Sequence, residues 1–209
     1  STPLYSSAAS DVYKRQVESF IIDIRDYIVQ KYPLPDLRNQ LKANPAINSL
    51  CKDEDGIFWF SQDRYGLCIY DSRKEKLKHY SQCQGTRNLP FGDVTNIARS
   101  YNHNWIWATS YGPTVFGLSQ QNMEMKEDVR IELGNVTNNP GLITSLFEDP
   151  QNNLWIGTTT GLFVYRIMSA TLESIPEVSG PVAGITQTAD SRIWTVIRNK
   201  GIYRIEQDK

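Results

Sequence analysis

Adjacent carboxylates are the residues of this 209-residue chain that could most readily do chemistry. Two examples are the pair Glu148 and Asp149 and the run Asp53, Glu54 and Asp55. Two neighbouring acids can divide the roles of general acid and general base. Both groups also stand among turn-forming residues between two apolar runs, where carboxylates cap backbone amides. We expect capping rather than catalysis from them.

The other reactive residues form no recognisable catalytic or metal-binding set. The sequence has no G-x-S-x-G, H-E-x-x-H or phosphate-loop motif. Its histidines are His79 and His103, and its cysteines, Cys51, Cys68 and Cys83, lack C-x-x-C spacing. Such scattered cysteines indicate neither a zinc site nor a disulfide framework, and Cys51 and Cys68 are expected to be small buried apolar residues. We predict no enzyme activity, cofactor or metal for these residues.

The strongest pattern in the sequence is a phrase centred on a tryptophan that occurs four times. The copies are IFWFSQDRYGLC (57–68), WIWATSYGPTVF (105–116), NNLWIGTTTGLF (152–163) and RIWTVIRNKGIY (192–203). Their tryptophans, Trp59, Trp107, Trp155 and Trp194, are separated by 48, 48 and 39 residues. Glycines follow them at Gly66, Gly157, Gly161 and Gly201. A regular period of this length is typical of repeat architectures.

Each repeat has the pattern of a small antiparallel sheet. Short runs rich in Ile, Val, Phe, Tyr and Trp alternate with Asn, Asp, Gly and Pro, which favour turns. The runs are apolar on both faces, which suits small sheets stacked around an axis. We predict an all-β protein, a partial β-propeller of about four four-stranded antiparallel blades.

The phrase itself predicts how neighbouring blades pack. Because side chains alternate along a strand, Trp155 should fill one inter-blade gap while Leu154 and Ile156 point to the other. Gly157 should allow a close backbone approach, and Gly161 should permit the tight turn into the next strand.

The repeat also predicts the organisation of the chain. Residues 1–16 match no repeat and resemble the translation of a transposase-based sequencing adaptor, so we expect an artefact that hides the true N-terminus. Residues 17–45 are expected to be the end of a preceding blade plus a linker. The predicted blades are 46–93, 94–142, 143–181 and 182–209, the last one incomplete.

Composition excludes some partners. The residues are 40% hydrophobic and 22% charged, with a net charge of −1, as in an ordinary soluble globular chain. Nucleic-acid binding would favour a basic balance, and a membrane span would need about 20 consecutive apolar residues. We expect neither a nucleic acid nor a membrane to contact this region.

The stretch EDPQNNLWIGTTTGLFVY (148–165) resembles the two-component regulator propeller repeat, and it matches nearly position for position. The first copy has Ser61 and Gln62 in place of Gly-Thr, the second keeps Ala108 and Thr109, and the fourth lacks Gly-Thr. The resemblance covers roughly residues 20–205. It implies part of a periplasmic sensor of a hybrid two-component system of the Bacteroidetes type, usually a seven-bladed ring, acting on a histidine kinase outside these residues.

The resemblance further implies an oligosaccharide ligand derived from glycans and a homodimer in the complete sensor. In propellers the loops between second and third strands commonly receive ligands. These loops are 61–66, 109–114, 158–161 and 198–201, and their candidate ligand-binding residues are Arg64, Tyr65, Tyr111 and Arg198. The segment SYNHNW (100–105), with His103, is expected on the opposite face and is our second choice.

Two other functions stay open at this point. The chain could be an interaction scaffold, or a fragment of a propeller lyase or hydrolase. A cluster of His or acidic residues at the axis would favour the enzyme, and a parent gene without a membrane helix or kinase would favour the scaffold.

Overall fold

The computed structural model describes residues 19–23, 28–32, 47–53, 55–62, 66–74, 76–80, 89, 92–103, 105–121 and 124–206. The chain forms two compact units, Ser1–Ile47 and Asn48–Lys209. Over these described ranges, no helix is long and apolar enough to cross a membrane.

The first unit contains a two-stranded antiparallel sheet. Strand β1 (Ser19–Asp23) pairs with β2 (Ile28–Tyr32), with Ser19 opposite Tyr32 and Asp23 opposite Ile28. The two strands expected within residues 17–35 are therefore present, and their membership of an earlier blade stays a prediction. Residues 1–16, the turn at Arg25 and Asp26, and the segment 34–45 lie outside the described residues.

The second unit contains four antiparallel sheets in chain order, three with four strands and one with three. The first sheet is β3 (Ile47–Lys52), β4 (Ile57–Gln62), β5 (Gly66–Asp71) and β6 (Lys76–Tyr80). The second sheet is β7 (Asn96–Arg99), β8 (Ile106–Thr109), β9 (Thr114–Gln121) and β10 (Glu124–Glu132). The third sheet is β11 (Ile143–Glu148), β12 (Asn153–Thr158), β13 (Gly161–Arg166) and β14 (Thr171–Ser179). The fourth sheet is β15 (Val182–Gln187), β16 (Ile193–Ile197) and β17 (Gly201–Ile205).

The all-β fold and the partial propeller of four antiparallel blades are confirmed. Strands within each sheet follow the order of the chain, so hairpins connect them. A single turn of 3-10 helix, Leu133–Asn135, follows the second sheet. The fourth sheet has three strands among the described residues instead of four. Each predicted range from 46–93 to 182–209 contains one sheet, although the limits themselves stay predictions.

Trp59, Trp107 and Trp155 pack in the buried clusters between sheets, as predicted for Trp155, whereas Trp194 is half-buried. Trp155 is 2% exposed and packs with Val182 and Ile193 of the fourth sheet. Its neighbours Leu154 and Ile156 point the other way and join the cluster around Trp107 of the second sheet. Burying one such side chain stabilises the fold by about 1.5–3 kcal/mol. Because successive side chains of β12 point to opposite faces, the third sheet packs against the second sheet on one face and against the fourth on the other.

The first strands of adjacent sheets are also joined by hydrogen bonds. Ser49 Oγ donates to the carbonyl oxygen of Ile97 and accepts from its amide, both at 3.2 Å. Asn96 Nδ2 donates to the Ile143 carbonyl at 3.2 Å, and Thr144 Oγ1 donates to the Val182 carbonyl at 2.7 Å. Because these partners lie about one repeat apart, polar side chains on the first strands fix the spacing of the sheets.

The repeated glycines serve different purposes. A Cβ atom on Gly157 would lie 2.4 Å from Val182 Cγ1, so the predicted close approach is confirmed. Gly66 and Gly201 have positive φ values of 84° and 113°, and they suit tight turns. Gly161 directly follows the two-residue turn at Thr159 and Thr160, and its φ is not positive. A Cβ there would instead lie 2.9 Å from the Val178 carbonyl oxygen.

A Thr158 side chain closes the turn before Gly161. Its Oγ1 accepts hydrogen bonds from the amides of Thr160 at 3.2 Å and Gly161 at 3.1 Å, and it donates to the Gly161 carbonyl at 3.0 Å. Thr158 is fully buried. In the Gly-Thr of the phrase, Gly157 thus allows the close contact with the next sheet, and Thr158 stabilises the turn by hydrogen bonds.

Gly157→Ala should destabilise the protein by about 1–3 kcal/mol, because the added methyl group overlaps Val182 and Ser145 in a packed gap. Gly184→Ala is the matched control in a neighbouring strand, since nothing lies within 4 Å of its added Cβ. The control should change stability by about 0.5 kcal/mol or less. Urea unfolding midpoints measure both, and equal shifts would contradict the close-approach role.

Candidate functional site

The acids in the turns between first and second strands cap amides and bind the phrase tryptophans. Asp149 is fully buried and accepts hydrogen bonds from the amides of Gln151 and Asn153, both at 2.9 Å. It also accepts one from the Trp155 indole nitrogen at 2.9 Å. The capping expected of Asp149 is confirmed, whereas the indole bond was not predicted.

The same arrangement occurs in the first and fourth sheets. Asp53 accepts the Ile57 amide at 2.9 Å and the Trp59 indole at 2.7 Å. In the fourth sheet the Trp194 indole donates to Thr188 Oγ1 at 3.3 Å. In all three sheets the acceptor lies six residues before the tryptophan.

The second sheet lacks an acceptor at that position, because Tyr101 occupies it. Glu148 of the third sheet supplies the acceptor for the Trp107 indole instead. Its carboxylate accepts from Ser100 Oγ and from the Tyr101 amide, both at 2.9 Å, and from the Trp107 indole. Glu148 is 1% exposed, so this inter-sheet contact is shielded from water. The third sheet thus holds the first turn of the second sheet in place.

Glu148→Ala should destabilise the protein by about 3 kcal/mol or more, because it leaves three donors without their acceptor. Glu173→Ala is the matched control: its 3.3 Å ion pair with Arg166 is exposed, and its loss should cost about 0.5 kcal/mol or less. Thermal unfolding of both variants measures the difference. A loss no larger at Glu148 than at Glu173 would contradict the anchoring role.

A groove lies between the first turns of the first and second sheets, and we call it the 1–2 groove. Its volume is about 530 Å³. The first sheet contributes Asp53, Asp55, Ile57 and Trp59, and the second contributes Arg99, Ser100, Tyr101, Asn102, His103, Trp105, Ile106 and Leu118.

Aromatic rings form much of the second-sheet wall of the 1–2 groove. The rings of His103 and Trp105 stack with centroids 4.2 Å apart, and the rings of Trp105 and Trp107 form a T-shaped pair with centroids 5.4 Å apart. The Arg99 guanidinium lies 5.8 Å from the centre of the Tyr101 ring, which is 51% exposed. Such rings offer apolar faces beside polar edges, the combination that flat, hydroxyl-rich ligands require.

Two polar atoms of this wall are buried without a hydrogen-bond partner among the described residues, His103 Nε2 and Trp105 Nε1. Buried polar groups in proteins are nearly always paired, so each such atom calls for a water or ligand partner. Asn102 is better satisfied: its Nδ2 donates to the Pro150 carbonyl at 3.3 Å and to Asn152 Oδ1 at 2.9 Å.

The two predicted ligand-binding residues that the structure describes, Tyr111 and Arg198, do not line the 1–2 groove. Arg64 and Tyr65 lie outside the described residues. Tyr111 and Arg198 are exposed in turns between second and third strands, in the second and fourth sheets. Because strand direction alternates, these turns lie at the opposite end of the sheets from the groove. The ligand role of all four stays a prediction, while His103 of the second choice lies in the groove.

The cysteines behave as buried thiols. Burial raises the pKa of Cys51 to about 12, with a smaller contribution from Asp53, and burial also raises the pKa of Cys68. Both groups therefore remain protonated at neutral pH. Cys83 lies outside the described residues. Within the part of the chain that is described, no three His, Cys, Asp or Glu side chains are grouped to hold a metal.

The stacked antiparallel sheets, each with a buried tryptophan phrase, place the chain among the β-propeller proteins. More specifically, residues 139–160 match the family model of the two component regulator propeller. The chain therefore carries the repeat of that family, and the resemblance seen in the sequence is confirmed.

Solved structures share the fold. The extracellular domain of BT3049, assigned as a hybrid two component system of B. thetaiotaomicron, aligns with a TM-score of 0.66 and 18% identity over 90% of this chain and 25% of that one. The corresponding domain of BT4673 aligns with a TM-score of 0.64 and 18% identity over 91% and 25%. Virginiamycin B lyase from Staphylococcus aureus aligns with a TM-score of 0.62 and 18% identity over 92% and 64%.

These identities support a shared fold and no more. The chain spans a quarter of the length of the two sensor domains. A search of curated protein sequences found no match.

Proposed function

We propose that this propeller is part of the periplasmic ligand-sensing region of a hybrid two-component system. Its ligands would be oligosaccharides derived from glycans, and its output would reach transcription through a histidine kinase outside these residues. The repeat match at residues 139–160 carries the proposal. The extracellular sensor domains among the structural neighbours support it.

The role is binding rather than catalysis. Glu148 and Asp149, the acids best placed in sequence for acid–base chemistry, are buried and accept hydrogen bonds from tryptophan indoles and turn amides. A carboxylate engaged in this way is unsuited to exchange protons with a substrate. The described surface offers instead the aromatic 1–2 groove, whose rings and polar edges suit a sugar.

Signalling would then follow from a difference in affinity. A ligand shifts an equilibrium between two sensor arrangements only as far as it binds one arrangement more tightly than the other. A homodimer of the complete sensor would provide two such arrangements, and the propeller would supply the ligand-dependent free energy.

Glycan oligosaccharides should raise the thermal unfolding temperature of the chain. At a ligand concentration of 100 Kd, binding to the folded state alone adds about 2.7 kcal/mol. Di- to hexasaccharides from several plant and host glycans would be compared by differential scanning fluorimetry and calorimetric titration. Sorbitol at equal mass concentration is the control for general solute effects. If every oligosaccharide shifts unfolding no more than sorbitol does, the sensing proposal is wrong.

A further inference from the structure

The 1–2 groove offers ring faces on one wall and carboxylates on the other. Tyr101 and Trp105 belong to the second sheet, whereas Asp53 and Asp55 belong to the first. A ligand in the groove would therefore contact two sheets at once. Rings for stacking beside hydrogen-bonding groups are what a pyranose needs, because its faces present C–H groups and its rim presents hydroxyls.

Behind its surface, the aromatic wall holds two nitrogen atoms that have no hydrogen-bond partner among the described residues. Trp105 Nε1 can only donate, and it has no acceptor among them; His103 Nε2 likewise has no partner there. The two rings stack on each other at 4.2 Å, so both atoms belong to one aromatic unit. Both atoms are shielded from solvent, so a ligand would contact the exposed Tyr101 ring and the groove side of this aromatic unit rather than these nitrogen atoms.

The charges of the groove argue against an anionic ligand. Its described lining holds two carboxylates, Asp53 and Asp55, and one guanidinium, Arg99. The Arg99 guanidinium already lies against the Tyr101 ring. A sulfated or uronate-rich chain would bring several negative charges near two carboxylates, which is unfavourable at short range. An uncharged sugar avoids this repulsion.

The wall that would hold the sugar is anchored from behind. Glu148 of the third sheet accepts the Tyr101 amide and the Ser100 hydroxyl, both at 2.9 Å. Asn102 reaches the Pro150 carbonyl and Asn152 of that same sheet. The turn is therefore held in its conformation before any ligand arrives, which lowers the entropy cost of binding.

We propose that the 1–2 groove is the oligosaccharide site and that it selects uncharged sugars, with one ring stacked on the wall formed by Tyr101 and Trp105. This inference rests on the proposed sensing function and deepens it. It places the ligand at the opposite end of the sheets from Tyr111 and Arg198.

Calorimetric titration of the full chain tests the site. Neutral oligosaccharides of two to six units from mannan, xylan and β-glucan would be compared with acidic fragments of polygalacturonate and heparin. Tyr101→Ala removes a half-exposed ring while keeping the backbone amide bonded to Glu148, and it should weaken neutral-sugar binding about tenfold. Trp105→Phe keeps a ring but reduces the aromatic area of the wall, and it should weaken binding about threefold.

Tyr111→Ala is the matched variant for the rival site, because Tyr111 is similarly exposed, at 59%, outside the groove. Binding of neutral sugars that is lost in Tyr101→Ala and kept in Tyr111→Ala supports the proposal. The reverse pattern shows that the groove is not the binding site, and it is compatible with the sensing function. Tighter binding of acidic fragments overturns the selection for uncharged sugars, and binding of no oligosaccharide overturns both proposals. Unchanged unfolding temperatures of the variants show that the fold is intact.

Discussion

The hydrogen bond that the indole of each phrase tryptophan donates, in three sheets to the preceding turn and in the second sheet to Glu148, organises the rest of the structure. The indole is large enough to fill the gap between two sheets, but it carries one N–H that burial would leave unsatisfied. An oxygen in the preceding turn accepts that N–H, so a single residue connects the apolar gap with the polar end of the sheet. The same carboxylates hold the turn amides, which joins hairpin geometry to inter-sheet packing.

This constraint also determines where a binding groove can form. Because Glu148 supplies the indole acceptor, the turn of the second sheet carries Tyr101 at the position where the first and third turns carry an aspartate. The longer turn then stands beside the turn of the first sheet and encloses a volume of about 530 Å³. Tyr101 therefore has two effects at this position: it removes the local acceptor of the indole N–H, and it adds an aromatic ring to the wall of the groove.

The sequence predicted those parts of the fold that depend on local spacing. The strands, the opposed directions of Trp155 and Leu154, and the capping by Asp149 follow from alternation and turn chemistry within one repeat. The bond from Glu148 to Trp107 spans 41 residues and depends on the placement of two sheets, so no local pattern shows it. The steric reason for glycine at position 161, crowding by the Val178 carbonyl oxygen, depends on a residue of the fourth strand and is not visible in the local pattern.

The candidate site was less predictable than the fold, because a groove between sheets depends on how two distant turns meet. The sequence did contain a signal. The second copy is one residue longer before its tryptophan, and Tyr101 stands where two other copies have aspartate. Such a departure from the repeat marks a turn that no longer has to accept the indole N–H of its own tryptophan. Binding groups can be added to a turn of this kind while the sheets keep their structure.

The contact made by Glu148 has a consequence for the independence of the repeats. The first, third and fourth sheets each satisfy their own tryptophan, so each contains what its own turn requires. The second does not, and it borrows a carboxylate from the repeat that follows it. Exchange of the third repeat alone would therefore leave the Trp107 indole without its acceptor, a dependence that the other three tryptophans do not share.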